Sequence, residues 1–442
     1  MRRLVLLFAF ALTALPFVAQ AQRATLEISG ATFRPYPIAV ANPLATGDEV
    51  APAEEIHEAL SFDLMASGLF DVVPRKAFLA DPREPATAEG IVWTRWSDVS
   101  AEGLVKVQVT PSAGGVQATF RLYDVATHRQ DLVATYEGRR ADARRLAHRF
   151  ADDLVKHFTG EPGAFSTRIA FVKRGPSARE VWVADWDGKN AAPVSERGGG
   201  MALLPAWSPA GDKVVYTLYK RSRNYPNGKP ELWRSELPGG RSKALVSRGD
   251  IATGGAFSPD GKKIAFTLAD EGNSEIYVIN ADGSGLKRIT NSPGIDTSPS
   301  WSPDGQKLAF VSDRHGNPQI FVANADGTGV ERLTFAGNYN QTPVWSPRGD
   351  EIAFTARDER LAFDVFVIKV GSKEIRRITQ GQGNNEGPTW APNGRMMMFT
   401  SDRDGTKSLW VSSADGNVQH KIGIKGKAAF VQASWGPLPA AK

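Results

Sequence analysis

The sequence predicts a mainly β protein, a six-bladed β-propeller closed by its own C-terminal strand and preceded by a small α/β domain. Three observations carry that reading. A phrase written in full as "SWSPDGQKLAFVSDRHG" at Ser300–Gly316 recurs, with its aromatic at Trp207, Phe257, Trp301, Trp345, Trp390 and Trp435. The successive spacings are 50, 44, 44, 45 and 45 residues, a period that signals four-stranded blades rather than a helical solenoid. The region before the repeats lacks the phrase and shows helical periodicity in its place.

The repeat is a strand, a tight turn and a second strand. Pro303 sets φ for the turn, Asp304 offers an acceptor to nearby backbone, and Gly305 takes the positive φ that closes it. The second strands follow as Lys213–Tyr216, Lys263–Phe266, Lys307–Phe310, Glu351–Phe354 and Met396–Phe399. A third strand is marked by Trp182, Trp233, Tyr277, Phe321, Phe366 and Trp410, and a fourth by basic-apolar-Thr phrases such as Arg288-Ile289-Thr290. The repeats are of the WD40/PD40-like kind. They open at Arg168–Phe171, which is already a second strand, and the chain ends in "AAFVQASWGP", a first strand lacking a second. Six blades result if the C-terminal segment completes the one begun at residue 168, a closure that removes free sheet edges.

The chain begins with Met1-Arg2-Arg3, a 15-residue apolar run from Leu4 to Val18 broken by Pro16, and a small-x-small site, Ala19-Gln20-Ala21. This is the pattern of a cleaved secretory signal over residues 1–21, and the run falls short of the roughly 20 residues a spanning helix needs. With no cysteine in the sequence, a lipid anchor and disulfides are both excluded. Residues 22–160 form the expected α/β domain. Its helices are Pro52 to Phe70, with Ile56, Leu60 and Leu64 on one face, and Ala143 to Gly160, with Leu146, Phe150, Leu154 and Phe158. Between them "IVWTRW", "LVKVQVT", "VQATFRLYD" and "DLVATYE" read as strands. Gly160-Glu-Pro-Gly163 is the expected joint, and residues 161–442 the propeller.

A net charge of +5 is too small to argue for nucleic acid. The one concentrated basic stretch is "YKRSRNYPNGKP" at 219–230, the insertion that lengthens the first spacing to 50. Catalytic signals are weak. There is no G-x-S-x-G elbow, no H-E-x-x-H, no Gly-rich phosphate loop, and the six histidines are scattered. The recurrent Asp-Gly pairs are wanted for turns, and the recurrent Trp residues for blade packing. No metal site and no cofactor are expected.

Function is expected in the loops that vary around the repeat, above all those preceding each first strand, which converge on the central channel. They offer Ile251, Asp296 with Thr297, Asn340 with Gln341, and Asn385 with Glu386. Small and amidic groups with two carboxylates suit protein recognition or a weakly held cation better than acid–base chemistry. An exported propeller enzyme, lyase or glycosidase, and a free-standing peptide-binding propeller are the alternatives.

The export signal, the small α/β domain with "RPYPIAV" at Arg34–Val40, and six "WSPDG...KLAFxS" repeats together resemble the TolB family, periplasmic components of the Tol-Pal system of Gram-negative bacteria. The resemblance covers essentially the whole chain. It implies a non-enzymatic, periplasmic, monomeric adaptor without nucleic-acid or direct membrane contact, serving outer-membrane integrity and cell division. It further implies that the lipoprotein Pal binds the channel mouth through Ile251, Gly254, Asp296, Thr297, Asn340, Gln341, Asn385 and Glu386. The inner-membrane protein TolA would engage the Gln22–Phe33 segment, with Gln22, Ala24, Thr25, Leu26, Glu27, Ile28, Ser29 and Phe33. Within it "ATLEIS" alternates as a strand suited to adding to a partner's sheet edge.

Overall fold

A computed structural model describes residues 33–195, 200–270, 272–357, 359 and 361–439. The signal segment 1–21, and Gln22, Ala24, Thr25, Leu26, Glu27, Ile28 and Ser29 of the expected TolA segment, lie outside the described residues.

The N-terminal sheet contains β1 (Tyr36–Val40), β2 (Phe70–Val72), β3 (Gly103–Ser112), β4 (Gly115–Asp124) and β5 (Gln130–Gly138), in the order β2-β1-β3-β4-β5. β1 runs parallel to both neighbours and the remaining pairs are antiparallel. Helices α1 (Val50–Ser67) and α3 (Ala143–Thr159) cover one face, joined by the short α2 (Trp93–Ser97) on the other. One expectation fails here: "IVWTRW" is not a strand but leads into and forms α2. The reason is polar. Glu84, buried, accepts hydrogen bonds from the Val92 amide (3.0 Å) and the Trp96 indole (2.8 Å) and an ion pair from Lys106 (2.9 Å), and a helical turn brings those donors to one carboxylate.

Helix α1 is buried on two sides, because one packs on the sheet and α3 while the other meets the propeller. Ile56, Leu60 and Leu64 join the sheet core, whereas Phe62 stacks on Trp186 of the propeller at 5.3 Å. The helix ends at Gly68, with φ 70°, where an added Cβ would sit 3.1 Å from Ser413 Cβ of the propeller. Only glycine meets both demands. The apolar core is continuous from Ile38 and Phe150 through Trp186 to Trp435, so the two parts pack as one body.

The propeller has six four-stranded blades. Blade 1 pairs the C-terminal strand Ala429–Trp435 with Arg168–Arg174, then Arg179–Asp185 and Ala192–Pro193. Blade 2 runs from Gly200–Trp207 to Ser242–Val246, and blades 3 to 6 start at Ile251, Asp296, Asn340 and Asn385. The Ser302–Gly305 turn forms as expected. The Gly305 amide donates to the Ser302 carbonyl (2.9 Å) at φ 70°, and Asp304 Oδ1 accepts from the Ser302 hydroxyl and the Gln306 amide. The recurrent Trp residues pack between blades. Trp301 and Trp390 donate their indole N–H to Ala256 and Val344, carbonyls of the preceding innermost strand, both at 3.1 Å.

The segment Gly160–Gly163 is pinned to the propeller. Glu161 accepts ion pairs from Arg348 (2.7 Å) and Arg395 (2.9 Å), which project from blades 5 and 6, and the Asn393 side-chain amide donates to the Pro162 carbonyl. These contacts lie where the innermost strands end, so the N-terminal domain caps that end and leaves the opposite end, where they begin, as an open mouth.

Candidate functional site: the channel mouth

All six innermost strands carry the same irregularity. Midway along each, one residue has a left-handed φ: Leu204, Gly254, Ser298, Thr342, Gly387 and Gln432, between 50° and 68°. At each the pairing with the second strand shifts register. A bulge of this kind turns an amide out of its own ladder and toward a neighbour. In four blades that amide is taken by a buried threonine hydroxyl of the preceding blade's second strand: Gly254 by Thr217 (3.1 Å), Ser298 by Thr267 (3.1 Å), Gly387 by Thr355 (2.9 Å) and Gln432 by Thr400 (3.0 Å). Blades 1 and 4 have Val172 and Val311 at the position of the accepting threonine. The Leu204 amide donates instead to Gln432 Oε1 (3.2 Å), while Thr342 shares a hydroxyl contact with Thr355 (2.9 Å). The last contact lies within blade 5, so the bulge amides clasp the channel wall blade to blade at five of the six junctions.

Inside this ring lies a cavity of about 520 Å³, lined by residues of all six innermost strands together with Arg174, Arg179, Thr400 and Lys407. Of the expected mouth residues, Gly254, Gln341 and Glu386 line it. Glu386 is held by Lys407 at 2.8 Å. Thr297 is half-buried beside the cavity, and Ile251 is 40% exposed at the rim.

Asp296, Asn340 and Asn385 are placed differently, each 2% exposed or less. Asp296 accepts from Arg314 (2.8 Å). Burial raises its carboxyl above the usual range, opposed by bonds from Ser312 and by Arg314. Asn340 donates its side-chain amide to Gln319 Oε1 (2.9 Å) and to the Ala336 carbonyl (3.0 Å). Asn385 donates to Asp364 (2.9 Å) and accepts from Arg403 (2.9 Å). These three are inter-strand polar ties beneath the mouth surface, and their side chains have little area to offer a partner. Phe33, the one described residue of the expected TolA segment, is half-buried against the N-terminal core.

Each of the two carboxylates is paired with a cation, Asp296 with Arg314 and Glu386 with Lys407. Among the described residues no three His, Cys, Asp or Glu side chains gather in a metal-binding arrangement. Asp282 and Asp326 of the Asp-Gly turns each accept from a hydroxyl and an amide two residues on.

Sequence reasoning missed a second polar centre, buried between the domains. His148 of α3 donates Nδ1–H to Asp63 of α1 (2.7 Å), and its Nε2 lies 3.6 Å from Asp187 of the propeller. Asp63 also accepts from the Trp186 indole (3.1 Å), and Arg144 pairs with Asp187 at 2.5 Å. Burial pushes the Asp63 carboxyl up to about 6, against the pull of His148. Burial alone would lower His148, but Asp63 and Asp187 outweigh it and raise the imidazole above its ordinary value. The only signal in the sequence was a polar residue at a helix position otherwise reserved for the core.

Comparison with known proteins agrees with this architecture. The family model for the TolB beta propeller domain matches residues 155–439, and that for the TolB amino-terminal domain residues 24–131. A Tol-Pal system protein TolB from Anaeromyxobacter dehalogenans is 49% identical over 439 residues, covering 99% of each chain. Another from Myxococcus xanthus is 49% identical over 213 residues, covering 47% of this chain and 48% of that one. The crystal structure of TolB from Acinetobacter baumannii superposes with a TM-score of 0.79 at 27% identity, over 91% of this chain and 97% of that one.

Proposed function

The chain belongs to the TolB family, and on that premise we propose that it is a non-enzymatic periplasmic adaptor of the Tol-Pal complex. In this reading Pal binds the channel mouth and TolA the segment Gln22–Phe33, and the complex serves outer-membrane integrity and constriction at division. The observation that carries the reading is the mouth itself. A cavity of about 520 Å³ is open at the end away from the N-terminal domain, walled by rigid bulged strands, and furnished with backbone and half-buried polar groups in place of an acid–base pair. Such a surface suits insertion of another protein's loop. Among the described residues no helix is long and apolar enough to cross a membrane.

In this reading the proposed contact residues have two roles. Ile251, Gly254, Thr297, Gln341 and Glu386 form the surface that Pal would touch, while Asp296, Asn340 and Asn385 hold the loops that present it. Calorimetry of residues 22–442 against the soluble domain of Pal from the same organism tests this. The expected result is binding that Thr297→Arg abolishes, because a guanidinium at the rim fills the space a partner must enter. Binding unaffected by that substitution would remove the mouth from the interface.

A further inference from the structure

The mouth is not electrostatically even. Innermost strands begin where second strands end, so the hairpins joining second to third strands stand on the same rim. In blades 1 and 2 these hairpins span 174–179 and 220–229. They carry Arg174, Arg179, Lys220, Arg221, Arg223 and Lys229. The only carboxylates on the flanking strand starts, Glu180 and Glu231, each accept an indole N–H, from Trp182 (3.0 Å) and Trp233 (2.9 Å). Among the described residues none of the six cations has a carboxylate partner; Lys220 rests over the Trp233 ring, and Lys229 over Tyr225 with its ammonium on the Ser247 carbonyl. Exposed Lys425 and Lys427 extend the basic arc along the link entering the C-terminal strand. Across the mouth the corresponding hairpins of blades 3 to 6 carry carboxylates as well, Asp270, Asp313, Glu359 and Asp404 among them, and Ile295 and Leu361 stand exposed by 50% and 65%.

Building on the adaptor reading, we infer that the basic half of the rim, led by the 219–230 hairpin, is an electrostatic docking arc for an acidic flank of the protein seated in the mouth. Arg174 and Arg179 line both the arc and the cavity, so the charge is continuous with the proposed contact surface. A flat anionic membrane would meet the arc but also the carboxylates across the mouth, and would leave the cavity and the exposed Ile295 and Leu361 uncovered. A protein carrying acidic groups on one side of an inserted loop covers the arc, the cavity and those apolar side chains. Solvent-exposed rim charges act mainly on association rate and on its salt dependence.

The test is stopped-flow association of residues 22–442 with the soluble domain of Pal across a salt series. It compares the wild type with Arg221→Glu/Arg223→Glu, whose side chains stand exposed on the hairpin tip, and with Lys262→Glu at the opposite end of the propeller as a control. The expected result is an association rate lower by roughly tenfold at low salt and a shallower salt slope for the double variant only, with the dissociation rate within about twofold. An unchanged association rate and slope, with the wild type binding, overturns the docking arc and leaves the mouth reading standing. Absence of binding by the wild type overturns both. Vesicles rich in phosphatidylglycerol that bind the wild type and not the double variant, with Pal kinetics unchanged, would assign the arc to a membrane surface and overturn it as a protein-docking site.

Discussion

Thr355 shows how much one hydroxyl does in this ring. It accepts the Gly387 amide and shares a hydrogen bond with Thr342, tying blade 5 to blade 6 at the channel wall while itself fully buried. Thr355→Val keeps the shape and strands that amide, at an expected cost of about 1–3 kcal/mol, read as a lower denaturant midpoint with unchanged m-value. Blades 1 and 4 already have valine at this position, so the fold survives the change. His148 supplies the second prediction at this scale. A group whose folded value is raised adds stability that is complete below its unfolded value near 6.5 and is lost as pH rises through the folded value. Asp63, raised to about 6, acts in the same direction over a lower window, between its ordinary value and about 6. On the His148 account the wild type is therefore expected to lose thermal stability as pH rises above about 6.5. His148→Gln should flatten that slope, and a slope equal to the wild type's would contradict the assignment of this loss to His148.

At the scale of elements, what the sequence made legible follows chain geometry. The turn at Ser302–Gly305, the strand order within each blade and the closure by Ala429–Trp435 all rest on local residue preferences or on a fixed period, and each was readable. The polar ties at Asp296, Asn340 and Asn385 were not, because their partners Arg314, Gln319 and Arg403 come from hairpins 18 to 21 residues away and no periodicity marks the pairing. The α2 helix was misread for a similar reason, since its determinant, Glu84, lies outside the segment. How tightly the Gly160–Gly163 segment packs was not legible. Asp152 accepts the Phe165 and Ser166 amides at 2.7 and 2.9 Å, and a Cβ on Gly163 would stand 2.5 Å from Asp152 Oδ1. Gly163→Ala should accordingly loosen the domain junction, with faster amide hydrogen exchange at residues 165 and 166 and little change in the blades. Exchange unchanged at those two amides would show that the junction does not depend on this packing.

Over the whole molecule, one end of the propeller is sealed by the N-terminal domain through a continuous apolar core, and the other is open, rigid and half basic. A rigid mouth binds without having to be ordered first, which lowers the entropic cost of association. The central claim is that the partner enters at this end. It is tested most directly by hydrogen exchange on residues 22–442 with and without the soluble domain of Pal. The account predicts added protection at the mouth, around Ile251–Gly254, Thr297, Gln341 and Glu386, and none on the outer strands of blades 3 and 4. Protection confined to those outer strands, with the mouth unchanged, would contradict it.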